Sequence, residues 1–136
     1  MHVNGTCHCG AITFDAEVNP DHSVICHCTD CQAMASAPFR MMVVTHESSF
    51  NLKTGTPKAY IKRTADSGNL RELTFCDVCS TQLYATSVGD EGNRMLALRL
   101  GVLDARADIT PSRQIWCQSR LPWIDNLASL PAADGQ

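Results

Sequence analysis

From Ile12 the chain alternates, with Ile12, Phe14, Ala16 and Val18 apolar and Thr13, Asp15 and Glu17 polar between them. Period two with one polar face predicts a half-buried strand, because successive strand side chains point to opposite faces. Residues 2–18 read as a hairpin whose turn carries Cys7-His8-Cys9, with Gly10 supplying the backbone freedom to turn tightly. Asn19-Pro20-Asp21 ends the strand. Phe39-Arg40-Met41-Met42-Val43-Val44 predicts a buried strand. Shorter strands follow over Phe50 to Lys53 and Ala59 to Lys62, separated by the turn Thr54-Gly55-Thr56-Pro57. Leu70 to Phe75 runs into Cys76-Asp77-Val78-Cys79 and Gln82 to Thr86 runs out of it, which places a CxxC at a second hairpin tip. Met95 to Leu100 is a further strand, and Ile115-Trp116-Cys117 is the last candidate. One helix is predicted, a short one: Thr29 or Asp30 caps a segment running through Gln32 to Ala35, and Pro38 stops it. Phe39, Tyr60 and Trp116 are assigned to the core, and His22 and His46 to the surface.

Length and charge narrow the possibilities. A chain of 136 residues fits one domain, assigned to residues 1–130 with a frayed tail over 131–136. Hydrophobic residues make up 44% and charged residues 18%, which is not the composition of a disordered chain. No run approaches the roughly 18 apolar residues of a membrane span. The net charge of −3 argues against a nucleic-acid partner, which selects a basic surface. The opening Met1-His2-Val3-Asn4-Gly5 has no apolar signal-peptide core, so cytoplasmic, reduced thiols are expected.

The cysteines change the picture most. Seven of the eight fall into Cys7-x-Cys9, Cys26-x-Cys28-x-x-Cys31 and Cys76-x-x-Cys79, and only Cys117 stands alone. Thiols one residue apart rarely satisfy disulfide geometry, whereas several thiolates converge readily on one metal ion. The seven divide into four and three. Cys7, Cys9, Cys76 and Cys79 suit a closed structural zinc site, and Cys26, Cys28 and Cys31 suit a second zinc with one open position. A zinc with three thiolates carries −1 rather than −2 and still accepts a soft ligand. The competing readings are an all-disulfide secreted protein, a single zinc with the middle cluster buried or redox-active, and an iron–sulfur site, whose ferredoxin spacings are not matched. Cys117 reads as a small buried hydrophobe.

Taken together, Gly5-x-Cys7-His8-Cys9-Gly10, Cys26-His27-Cys28-x-x-Cys31, Phe75-Cys76-x-x-Cys79, Gly101-Val102-Leu103-Asp104 and Pro122-Trp123 resemble the glutathione-dependent formaldehyde-activating enzyme family, which includes centromere protein V. The resemblance spans nearly the whole chain. It implies a mainly β, Mss4-like (β-tent) fold of antiparallel sheets with zinc-bearing hairpins and a short helix. It implies two Zn2+ per chain, structural on Cys7, Cys9, Cys76 and Cys79 and catalytic on Cys26, Cys28 and Cys31. It also implies a carbon–sulfur lyase that joins glutathione and formaldehyde into S-hydroxymethylglutathione or reverses that reaction. One departure is visible: Ser80 follows the CxxC where the family usually has glycine.

The residues support a thiol substrate and a small aldehyde. A thiol bound to zinc is deprotonated, while a free thiol near pKa 8.5 is mostly protonated at neutral pH. Proton transfer is assigned to His27, Asp30 or water, each side chain also having a plain structural use. Arg40 is a candidate partner for a substrate carboxylate, Trp123 a candidate pocket wall, and Asp104 a turn residue held by backbone hydrogen bonds. The rival reading is a non-catalytic, zinc-stabilised module that binds a protein or a small thiol. The middle cysteine cluster speaks against it, because a purely structural module has no need of an incomplete second site.

Overall fold

A computed structural model describes residues 1–135. Its ten strands form two sheets. The first has the order β1-β2-β5, with β1 at His2–Thr6, β2 at Thr13–Glu17 and β5 at Phe50–Thr54. The second has the order β10-β3-β4-β9-β8-β7-β6. Its strands are β3 (Ser23–Cys26), β4 (Arg40–His46), β6 (Lys58–Lys62), β7 (Arg71–Phe75), β8 (Gln82–Ser87), β9 (Met95–Arg99) and β10 (Arg113–Ile115). Every pairing is antiparallel except β10 with β3, which is parallel. The one α-helix among the described residues, α1, covers Thr29–Ala35 and packs on β4. No helix among the described residues is long and apolar enough to cross a membrane.

The alternating stretch behaves as its pattern dictates. Ile12, Phe14, Ala16 and Val18 are all buried, and Thr13, Asp15 and Glu17 lie on the wetter face. They meet Val43, Leu83, Leu96 and Leu98 from the second sheet, with Leu103 and Ile109 from the turns beyond β9. Each large aliphatic side chain buried this way contributes about 1.5–3 kcal/mol. An aromatic chain crosses the core: Phe14 lies 5.0 Å from Phe50, which lies 5.1 Å from Tyr84. Gly5 stands opposite Phe14 in the β1–β2 register, and the Phe14 ring occupies the space a side chain at position 5 would need.

The other face of the second sheet is not apolar. Residues directly opposite one another in a ladder share a face. The register therefore puts Cys26 and Val24 of β3 beside Arg40 and Met42 of β4, with Arg99 of β9 opposite Met42. Continuing outward, Leu73 and Arg71 of β7 and Lys62 of β6 fall on the same side. This face carries α1 and the middle cysteine cluster.

Several expectations need correction. The helix is capped by Cys28 rather than by Thr29 or Asp30; it runs to Ala35 as expected, but the residue that ends it is Ser36 rather than Pro38. Ser36 takes a left-handed conformation (φ 49°), and the amides of Ser36 and Ala37 close back on Ala33 and Gln32. The last strand is Arg113–Ile115, because Trp116 is itself left-handed (φ 59°) and cannot extend it. Trp116 is accordingly 40% exposed, and Cys117, in the turn that follows, is exposed rather than buried. Tyr60 is exposed because β6 is the outer strand of its sheet. Phe39 is half-buried. Residues 131–135 of the expected tail carry no helix or strand, and Gln136 lies outside the described residues.

Candidate active site

The two hairpin tips converge. Cys7 and Cys9 leave the β1–β2 turn, Cys76 and Cys79 leave the β7–β8 turn, and their four sulfurs lie within 4.8 Å of one another. Cys7 Sγ is 3.5 Å from Cys9 Sγ, which is 3.8 Å from Cys76 Sγ. Four thiolates about 2.3 Å from a tetrahedral zinc sit roughly 3.8 Å apart, so this donor set fits such an ion. A disulfide needs about 2.05 Å, and all eight cysteines are free. Backbone amides supply charge compensation: Ile12 N–H donates to Cys7 Sγ at 3.3 Å. Thr81, through its hydroxyl and then its amide, holds the Cys79 thiol down to about 5. The Thr81 hydroxyl also accepts from His8 N–H at 3.1 Å and so ties the tips together. Ser80 adopts φ 63°, the left-handed region where glycine is at ease, which gives the family's glycine its reason.

The middle cluster is built differently. Cys26 ends β3, Cys28 caps α1 and Cys31 lies in its first turn, and their three sulfurs also lie within 4.8 Å of one another. Cys28 Sγ accepts from Cys31 N–H at 3.3 Å. The Cys26 thiol is pulled down by its hydrogen bond with Cys31, whose own thiol is pushed up in return. A soft, all-sulfur donor set of three fits a divalent ion such as zinc and leaves its coordination incomplete. The segment is pinned from the far end of the chain. His27 N–H donates to Ile115 O at 3.1 Å, and Gln32 Nε2 donates to both His27 O and Ser119 O at 2.8 Å.

A cavity of about 340 Å3 opens beside Cys28, walled by Thr29, Asp30, Lys62, Thr64 and Trp116. Asp30 Oδ2 accepts from Lys62 Nζ at 2.6 Å and Thr64 Oγ1 at 2.8 Å, and Lys62 holds this carboxyl below the usual range. His27 is 1% exposed, with Nε2 at 2.8 Å from Gln114 Oε1 and its ring edge against Phe39. It is therefore a buried packing residue, and it does not line this cavity. Trp123 sits 47% exposed in the 3-10 turn Pro122–Ser129 and does not reach the cavity; Trp116, assigned to the core by sequence, does.

On the other side of the cluster, Arg40 and Arg99 line a narrow cleft of about 30 Å3 with Asp30, Cys31, Met34, Lys62 and Leu73, the Asp30 carboxylate being the one paired with Lys62. Arg40 Nη1 donates to Gln82 Oε1, and Gln82 Nε2 donates in turn to Met34 O at 2.9 Å. Burial lowers the pKa of Arg40, and burial with the neighbouring charge of Arg40 brings Arg99 down to about 9. Arg99 is one of four arginines spaced seven residues apart, Arg99, Arg106, Arg113 and Arg120, and nothing in that spacing singles it out for this place. Its signal was a lone arginine inside the apolar run Met95 to Leu100. Asp104 acts as expected: it accepts from Asn4 N–H and Asn4 Nδ2 at 3.0 Å and from Ala105 N–H at 2.8 Å, fixing β1 to the turn beyond β9.

An uncharacterized lyase of Schizosaccharomyces pombe is 30% identical over 80 residues, covering 59% of this chain and 54% of the relative. The chain thus matches about half the length of that protein. A crystal structure of a Rhodobacter sphaeroides protein superposes with a TM-score of 0.59 at 16% identity, covering 82% of this chain and 98% of the other. That likeness concerns the fold, which is mainly β with cysteine-bearing hairpins and one short helix, as the resemblance implied. The family model for glutathione-dependent formaldehyde-activating enzyme matches residues 2–119, and the chain belongs to that family.

Proposed function

We propose that this chain, as one domain over residues 1–130, is a cytoplasmic carbon–sulfur lyase that adds a thiol to a small aldehyde or reverses the addition. Glutathione and formaldehyde are the pair the family name supplies. We assign a structural zinc to Cys7, Cys9, Cys76 and Cys79, and a catalytic zinc to Cys26, Cys28 and Cys31. The observation that carries the reading is the contrast between the clusters. One gathers four sulfurs between two hairpin tips, while the other gathers three beside an open cavity.

A zinc ion held by the three cysteines supplies a soft electrophilic position that lowers the pKa of an incoming thiol. The protein's own groups do the rest. The amide of Cys31 and the cap position of Cys28 hold the sulfurs in place without a flexible side-chain search. Asp30 Oδ2 is engaged by Lys62 and Thr64, which leaves Oδ1 to accept a hydrogen bond from the adduct hydroxyl or a relaying water. Trp116 walls the cavity with an apolar surface. The reaction balances simply: a C–S bond forms, the carbonyl π bond breaks, and the thiol proton ends on the former carbonyl oxygen.

Titrating the cobalt-substituted protein with glutathione and with S-methylglutathione tests this, with released metal measured in parallel. Glutathione should shift the sulfur-to-metal absorption with the metal retained, and S-methylglutathione should bind far more weakly. Equal binding of both with an unmoved spectrum refutes direct thiolate ligation and favours a binding module.

A further inference from the structure

We propose that Arg40 and Arg99 form a carboxylate subsite beside Cys31, so that the preferred thiols are acidic ones. The inference rests on the three-cysteine cluster being where the thiol binds, and it adds which thiols are chosen.

Both arginines are more than nine-tenths buried, Arg40 at 6% and Arg99 at 8% exposure. Buried guanidinium groups ordinarily spend their five N–H donors on acceptors, because an unmet donor carries the full desolvation penalty. Here Arg40 Nε, Arg40 Nη2 and Arg99 Nε have no hydrogen-bond partner among the described residues. No carboxylate lies within salt-bridge distance of either residue among those described. Among the described residues the one oxygen Arg40 engages belongs to the neutral amide of Gln82. The register places both side chains on the sheet face that carries the cysteines, with Arg71 two residues along the same side from Leu73. Arg71 likewise has no acid partner among the described residues, while Lys62 is already neutralised by Asp30.

A charge count follows. Three thiolates around a divalent ion carry −1, and Arg40 with Arg99 carry +2. One positive charge remains beside the cluster even if the thiolates take up the other. The two guanidinium groups line a shared narrow cleft with Cys31, and both also line a wider cavity of about 550 Å3 reached past Met34, Phe39 and Ser80. A planar carboxylate entering from that side meets two forks of donors, the arrangement that binds it best. Its own thiol would then reach the cluster from the arginine side.

The experiment uses the metal-loaded full chain with 3-mercaptopropionate and 2-mercaptoethanol as paired thiols, formaldehyde as the aldehyde, and KM and kcat measured separately. The wild type should favour the acidic thiol by about 10- to 100-fold, carried mainly by KM. That preference should collapse toward one in Arg99→Gln and be only partly kept in Arg99→Lys. Absence of any preference in the wild type overturns the proposal without need of a variant. A variant that loses both thiols in equal proportion, with the ratio intact, also overturns it and makes Arg99 a support for the cysteines. A second arm titrates 3-(methylthio)propanoate, its neutral analogue 2-(methylthio)ethanol and inorganic phosphate by calorimetry. If the thioether acid binds the wild type at least tenfold tighter than it binds Arg99→Gln, yet no thiol–aldehyde adduct ever forms, the carboxylate subsite stands and the lyase reading falls. If the acid binds no better than the neutral thioether, or phosphate binds better than the acid, the carboxylate subsite is wrong.

Discussion

Gly5→Ala is the sharpest single test of how the fold is packed. A Cβ on residue 5 would lie 2.0 Å from Phe14 Cζ and 2.4 Å from both Cε atoms. Carbon atoms pack at about 3.5–4.0 Å, so the ring must retreat by roughly 1.5 Å. It has little room to do so, being 1% exposed and tilted against Phe50, which in turn leans on Tyr84. Overpacking a closed core costs about 1–3 kcal/mol, and disturbing the aromatic pair about 0.5–1.5 kcal/mol more. Alanine recovers about 0.5–1 kcal/mol over glycine within a strand. The net expectation centres on a loss of about 2 kcal/mol, a large share of a stability of about 5–15 kcal/mol. Urea unfolding followed by far-ultraviolet circular dichroism measures it, at fixed free zinc because metal binding adds to apparent stability. Phe14→Leu supplies the control: in that background Gly5→Ala should cost less than about 1 kcal/mol, a coupling well above additive scatter. A single-variant loss under about 1 kcal/mol, or strict additivity in the double variant, would refute the packing argument.

The other predictions separate the metal sites and locate an acid-sensitive tie. Cys76→Ser should leave the protein insoluble or molten, because a structural zinc contributes about 10–16 kcal/mol at neutral pH. Cys28→Ser should stay folded with one metal fewer; circular dichroism and metal analysis decide, and a well-folded Cys76→Ser holding two zincs refutes the assignment. Asp104 is held below its unfolded pKa by its bonds to Asn4. Its contribution is therefore fully present above the unfolded value of about 3.9 and fades as pH falls through the lower folded value. Asp104→Asn should consequently be less stable than wild type at pH 6, with the gap closing as the solution is acidified below about pH 4; a gap independent of pH refutes the linkage.

Much of this architecture was legible because local patterns and tertiary demands agree. Ile12 to Val18 alternates and is buried on one side, and the cysteine spacings within each hairpin turn place their sulfurs as a metal would need. What escaped sequence reading depends on non-local context. Cys28 caps α1 although thiols are not among the usual capping groups, a role set by the turn its neighbours impose. Trp116 and Cys117 read as buried from side-chain type alone. A left-handed backbone at Trp116, invisible in composition, turns both outward. Trp123, a candidate pocket wall, lies in the 3-10 turn Pro122–Ser129 and does not line the cavity beside Cys28, where Trp116 does. The burial of Arg99 amid Met95 to Leu100 is likewise non-local, because its face of the sheet carries α1 and the cysteine loop.

The parallel pairing of β10 with β3 sets an order of events during synthesis. The four-sulfur set is complete in sequence once Cys79 has been made, and both of its hairpins are local. The three-sulfur set is complete in sequence far earlier, at Cys31, yet its supports arrive last. Ile115 O, the Gln114 side chain and Ser119 O all belong to residues some 87 positions downstream of the groups they hold. While a nascent chain still lacks residues 112–119, β3 is a sheet edge and His27 N–H has no acceptor. The hairpin cluster can thus organise while the ribosome is still working, whereas the three-sulfur cluster gains its downstream supports only as β10 docks.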